Sequence, residues 1–249
     1  MPKIAGLNLV FGVNPVAEAL RSGTPLEAIR TSRMDQPGVQ EILAQARARG
    51  VPIQKCDKRE LDRICGSHRH QGILASLSKT EEADPGEPLS LAKARHEDPL
   101  LLLLYEISDP QNLGSILRSA EGAGVHGVVV TKRRSAKLSP VVSKVSAGAT
   151  AHVPVISISN MRYYVEGLKK QGLWIVGLES GLGKPLWEAD LTGPVAVLLG
   201  SEGRGVAPVL QRSCDFFVHI PMYGSLTSLN VGVAAGILLY EIRRQRGPL

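Results

Sequence analysis

Aromatic side chains are scarce in this sequence: three Phe, five Tyr and two Trp among 249 residues. No stacking platform for unpaired bases is evident, because such a platform needs several aromatic faces in succession. Cysteine is scarcer still. Cys56, Cys65 and Cys214 stand far apart with no Cys-x-x-Cys pair. The spacing that holds zinc is missing, so no metal is expected, and reduced thiols in a cytoplasmic protein are. No apolar run approaches the roughly 20 residues that a membrane-spanning helix needs. Residues 1–11 lack the charged-then-apolar build of a secretory leader. The early Gly-x-Gly-x-x-Gly of a dinucleotide fold, with an acid roughly 20 residues on, is absent as well, which argues against a nicotinamide dehydrogenase. Internal repeats and low-complexity tracts are also missing.

What is present is basic charge with an uneven distribution. The net charge is +6. Residues 1–80 carry 12 Lys or Arg against 7 Asp or Glu, residues 81–98 carry 2 against 6, and residues 99–249 carry 15 against 10. Two basic blocks thus flank an acidic hinge, a pattern compatible with a polyanionic partner.

The hinge also reads as a boundary. Residues 79–88 have the Pro, Gly and acidic make-up of a linker. Three segments are expected: a small α/β domain over 1–78, a linker with a leading helix over 79–98, and a larger domain over 99–249. In the first, helices are expected at 15–21 behind an Asn14 cap, at 39–49 and at 58–65, with strands at 28–31, 51–56 and 73–77. In the second, strands at 100–107, 128–131, 153–158, 174–178, 195–199 and 216–220 alternate with helices at 113–123, 140–149, 161–171, 207–214 and 231–244. The strands are continuous apolar runs, as expected of a parallel sheet covered on both faces. The class is α/β with an open sheet.

Three loops at strand ends carry the functional signal. The first is Ser108-Asp109-Pro110-Gln111-Asn112-Leu113-Gly114, leading into a helix with Arg118. The second, Gly200-Ser201-Glu202-Gly203-Arg204-Gly205, follows strand 195–199. The third runs from Ile220 through Pro221, Met222, Tyr223, Gly224, Ser225, Leu226, Thr227, Ser228 and Leu229 to Asn230. Loops rich in Gly, Ser and Asn at the carboxyl ends of strands offer bare backbone N–H and C=O groups to a ligand. Each has a plainer explanation on its own: a tight turn at 200–205, a helix cap by Ser228 or Asn230, and a surface arginine at 118.

Together the three loops resemble the SPOUT superfamily of RNA methyltransferases, and within it the TrmH/SpoU branch of ribose 2′-O-methyltransferases. The resemblance is dense over 99–246. Phe11 to Leu20 and His70-Gln71-Gly72 extend it to the small ribosomal-protein-like RNA-binding domain of those members that methylate a guanosine in large-subunit rRNA, although Asn14 stands where a His is common. The resemblance implies a C-terminal trefoil knot in a mostly parallel sheet, S-adenosylmethionine as cofactor, an rRNA substrate, and a homodimer with the cofactor site at its interface. It implies cofactor contacts at Gly200, Ile220 and Leu229, with Met222 and Ser225 nearby, glycine at 200 letting the backbone approach an adenine. It implies catalytic roles for Asn112, Arg118, Glu202, Ser228 and Asn230. A guanidinium is a poor base, so Arg118 is expected to stabilise an alkoxide or grip a phosphate. RNA contacts are expected from Arg69, His70 and Gln71, with Arg59 and Arg63 nearby, and from Lys132, Arg133 and Arg134 with Lys137. Two other readings stand beside this one: a tRNA ribose methyltransferase, and an RNA-binding assembly factor without catalysis.

Overall fold

The computed structural model describes residues 9–21, 23–77, 83–201 and 203–247. The chain divides into two compact units, Met1–Glu81 and Glu82–Leu249.

The first unit runs β1 (Leu9–Phe11), α1 (Val13–Arg21), β2 (Leu26–Thr31), α2 (Pro37–Ala48), β3 (Ile53–Lys55), α3 (Lys58–Cys65) and β4 (Ile73–Leu77). Its four strands lie in the order β1-β4-β2-β3. β4 is antiparallel to both β1 and β2, and β2 is parallel to β3. Val16 and Leu20 of α1 and Ile42, Leu43 and Ala46 of α2 close over Ile29, Ile73 and Ala75 of the sheet. β1 was not foreseen, because three residues are too short to show a period. Asn14, expected as the cap of α1, lies inside its first turn. The job is done from a distance instead: Val13 N–H donates to Gln71 Oε1 at 2.8 Å.

The second unit runs α4 (Glu87–Arg95), β5 (Leu100–Leu104), α5 (Pro110–Gly122), β6 (Gly127–Thr131), α6 (Pro140–Val145), β7 (Val155–Ile158), α7 (Met161–Lys170), β8 (Trp174–Leu178), β9 (Lys184–Pro185), β10 (Val195–Leu199), α8 (Pro208–Gln211), β11 (Phe216–His219) and α9 (Val231–Arg246). Seven strands form one sheet in the order β7-β6-β5-β10-β8-β11-β9, with parallel pairing throughout. β5 explains why its sequence is five leucines. Leu100, Leu102 and Leu104 pack toward α5 and α9, while Leu101 and Leu103 pack toward α7 and α8, and all five are fully buried. Burying each stabilises by roughly 1.5–3 kcal/mol before entropic costs. Among the described residues no helix is long and apolar enough to cross a membrane.

Several boundaries moved for local reasons. The expected linker over 79–88 is shortened at its end, since Glu87 and Pro88 open α4, where a missing N–H costs nothing. The strand expected to reach 107 stops at Leu104, and Glu106 follows with a positive φ of 56°. The helix expected over 140–149 stops at Val145, and the left-handed residues Ala147 and Gly148 turn the chain away. The helix expected over 207–214 keeps only Pro208–Gln211. β9, two residues long, was not anticipated.

Candidate active site

The loops after β8, β10 and β11 all leave the same, carboxyl edge of the sheet, as parallel pairing dictates. Together they enclose a cleft of about 610 Å³, within the size range of small-molecule sites. Leu178, Leu199, Ile220, Leu229, Val231 and Ala234 give it apolar walls; Glu179, Ser180, Ser201, Arg204, Thr227, Ser228 and Asn230 give it polar groups. Six of the residues expected at a cofactor or catalytic position therefore share one cavity through side chain or backbone: Gly200, Ile220, Met222, Ser228, Leu229 and Asn230. Ser225 is exposed and lies off this lining. Glu202 lies outside the described residues.

The turn after β10 is built from its own backbone. Gly205 N–H donates to the Ser201 carbonyl at 2.8 Å, and Gly203 and Gly205 adopt φ of 73° and 64°. Gly200 was expected to be glycine so that the chain could approach an adenine. The structure supplies a nearer reason: a Cβ there would collide with the Gly205 carbonyl and the Val206 nitrogen. The turn folds back on Gly200, whatever the cleft binds.

Asn230 joins the first and third loops. Its Oδ1 accepts from Gly232 N–H at 2.9 Å and Val233 N–H at 3.4 Å, capping α9. With the oxygen committed to the helix, the amide nitrogen must face the other way, and it donates to Asn112 Oδ1 at 2.9 Å. Capping thus accounts for half of Asn230. Asn112 is buried in the first turn of α5; Asp109 is the cap, accepting from Gln111 N–H at 2.9 Å. Arg118 lies on the exposed side of α5 and does not line the cleft.

The expected RNA-contacting residues divide. Lys132, Arg133 and Arg134 are exposed on the loop after β6. That loop is tied to the one after β5: Thr131 Oγ1 accepts from Glu106 N–H at 3.2 Å, Ala136 N–H donates to the Ile107 carbonyl at 2.7 Å, and Arg134 lies 3.5 Å from Glu106 Oε1. In the first unit Arg69 is exposed, and Gln71 spends its oxygen on capping α1. His70 is corrected. It is 1% exposed, its Nδ1 accepts from Gly72 N–H at 3.0 Å, and its Nε2–H donates to Asp62 Oδ1 at 2.8 Å. Both ring nitrogens are used, one within the 67–72 loop and one to α3, which leaves none for a phosphate or base.

Sequence reasoning missed Glu179 and Ser180 on the cleft, and named Ser201, Arg204 and Thr227 only as members of their loops. Glu179 had one available signal, an acid immediately beyond an apolar strand of a parallel sheet. Among the described residues no group of three His, Cys, Asp or Glu could hold a metal ion.

With this geometry in view, two family descriptions match the chain. "SpoU rRNA Methylase family" matches residues 99–240, and "RNA 2′-O ribose methyltransferase substrate binding" matches residues 9–83. The chain is 39% identical over 246 residues to the 23S rRNA (guanosine-2′-O-)-methyltransferase RlmB of Coxiella burnetii, covering 99% of this chain and 98% of that one. It is 41% identical over 240 residues to an uncharacterized tRNA/rRNA methyltransferase of Mycolicibacterium smegmatis, covering 96% of this chain and 76% of the relative. Among solved structures it resembles the SpoU methyltransferase AviRb of Streptomyces viridochromogenes in complex with AdoMet. The TM-score is 0.67 at 27% identity, over 96% of this chain and 90% of that one.

Proposed function

Because the chain belongs to the SpoU rRNA methylase family, we propose that it methylates a ribose 2′-hydroxyl with S-adenosylmethionine, and that its target is a guanosine of large-subunit rRNA. The observation that carries this reading is the convergence of the second and third loops on one cleft, with the first loop hydrogen-bonded to it through Asn112 and Asn230. The cleft suits the cofactor, since apolar walls fit a flat heterocycle and the polar rim fits ribose and amino-acid groups. S-adenosylmethionine supplies an activated methyl group, so the chain has to align and deprotonate a weak nucleophile.

In this reading Gly200, Ile220 and Leu229 hold the cofactor through backbone groups, with Met222 beside them. Ser225 is left out, because it lies off the lining. Asn112, Asn230 and Ser228 orient the reacting groups; Glu202, expected to orient Arg118 or Asn112, lies outside the described residues. Arg118 stabilises the developing alkoxide or grips an adjacent phosphate. Its place off the lining of its own cleft, and the exposed Val233 and Tyr240 on α9, support a homodimer in which a second copy completes the site. The position of β10 between β5 and β8 supports the knotted threading that the resemblance implies. Residues 1–78 serve as the RNA-binding domain, with Arg69 and the Lys132-Arg133-Arg134 loop as phosphate contacts.

Full-length similarity to RlmB, substrate-binding unit included, favours rRNA. The mycobacterial relative, whose name spans tRNA and rRNA, keeps a tRNA target as the second reading. Incubation with tritiated S-adenosylmethionine, and separately with total tRNA and protein-free large-subunit rRNA, discriminates them. Label recovered from rRNA as an alkali-resistant 2′-O-methylguanosine is expected. Label on tRNA alone would overturn the target and keep the chemistry.

A further inference from the structure

Glu179 follows β8 on the cleft and bonds to both neighbouring segments of its rim. Its backbone N–H donates to the Val218 carbonyl of β11 at 3.1 Å. Its side-chain Oε2 accepts from Val206 N–H, just beyond the glycine turn after β10, at 2.7 Å. Its own residue follows β8 directly and lines the cleft. Val206 is 1% exposed, so its N–H needs a partner inside the protein. Its acceptor is a carboxylate from 27 residues earlier. The carboxylate lies flat against Gly205, where any Cβ would collide with it. One acid therefore ties β8, the 200–206 turn and β11 into a single rim.

We propose that Glu179 is a positioning residue for the cofactor cleft, holding the 200–206 turn in place through the Val206 N–H. It acts on bound cofactor through the backbone of Gly200 and Ser201, which that turn presents, and it takes no part in proton transfer. The inference rests on the proposed cofactor reading. It predicts an effect on cofactor affinity that exceeds the effect on catalytic rate.

Calorimetry with S-adenosylhomocysteine, on the full chain and on Glu179→Ala, Glu179→Asp and Glu179→Gln, tests it. Loss of a hydrogen bond to a charged acceptor is expected to weaken binding about 10- to 100-fold in Glu179→Ala. Glu179→Asp, one methylene short, falls with it. Glu179→Gln keeps an oxygen for Val206 and stays within about 3-fold of the parent, because a neutral acceptor weakens the bond only partly. At saturating S-adenosylmethionine kcat is expected to change little. Affinity unchanged in both the Ala and Asp variants overturns the proposal, and so does a Gln variant as weak as Ala. Amide hydrogen exchange of Val206 gives a cofactor-free readout: protection lost in Glu179→Ala and kept in Glu179→Gln is expected, and protection unchanged in Ala overturns it. If the parent protein binds no cofactor while Val206 protection still follows Glu179, the functional reading fails and the clamp stands.

Discussion

At the residue scale, Asn230 carries two separable jobs. Asn230→Ala removes the α9 cap and the bond to Asn112 together, and should cost about 1–2 kcal/mol in chemical denaturation. Asn230→Asp keeps the acceptor for Gly232 and Val233 and restores most of that stability. Its methyltransferase rate should remain well below the parent's, since the donor to Asn112 is gone. A rate that recovers along with stability would reduce Asn230 to a cap. Arg118 is the converse case. It is exposed on α5, so Arg118→Ala should leave the melting temperature within about 2 °C. Its methylation rate should fall at least about 100-fold if it stabilises developing charge. Arg118→Lys, with no planar fork, should recover little of it. The capping by Asn230 was legible in its residue type; the surroundings of His70 were not. A histidine beside an arginine in a basic block looks like a surface group, and only the fold shows Asp62 and Gly72 closing around it.

At the element scale, close helix contacts hold α5, which bears Asn112 and Arg118. A Cβ on Gly114 would fall 2.6 Å from Val145 Cβ of α6. Gly114→Ala should therefore destabilise by about 1–3 kcal/mol through overpacking, despite the better helix propensity of alanine. Val145→Ala in the same chain should recover much of the loss, a coupling that a double-mutant cycle reads directly. The join between β5 and the segment leading into β6 is pH-dependent. His126 is fully buried, and its Nδ1 accepts from Leu100 N–H at 3.0 Å. Burial, with Arg95, Arg243 and Arg246 adding to it against the opposing Glu97, pushes its pKa down to about 4. The native state thus resists protonation that the unfolded chain accepts near its ordinary 6.5. Stability is complete above about pH 6.5 and drains away as pH falls toward 4. Denaturation midpoints at pH 7.5, 6 and 5 should follow this slope, and His126→Asn should flatten it. The buried Glu241 titrates lower, because its hydrogen bonds to Arg244 hold it near 2, so the two windows barely overlap.

At the scale of the whole molecule, each unit has a core of its own. A fragment spanning 83–247 should fold alone, with a cooperative melt and native far-ultraviolet dichroism. It should bind S-adenosylhomocysteine with nearly the affinity of the full chain. Its methylation of rRNA should drop sharply, because the unit matching the substrate-binding family is gone. A fragment that methylates rRNA as well as the full chain would remove the first unit from substrate recognition.

The sequence by itself determined the α/β class, the order of most strands and helices, and the three loops at strand ends. These follow from local rules: apolar runs make buried strands, caps and glycines end helices, and parallel pairing sends every such loop to one edge. Only the tertiary structure decided which strands are neighbours, and with them which side chains meet. The packing of α9 against α5 sets the first loop beside the third, so that Asn112 finds Asn230 across 118 positions. The pairing of β8 with β10 brings Glu179 to Val206. Such meetings depend on distance in space, and a sequence pattern encodes distance only along the chain.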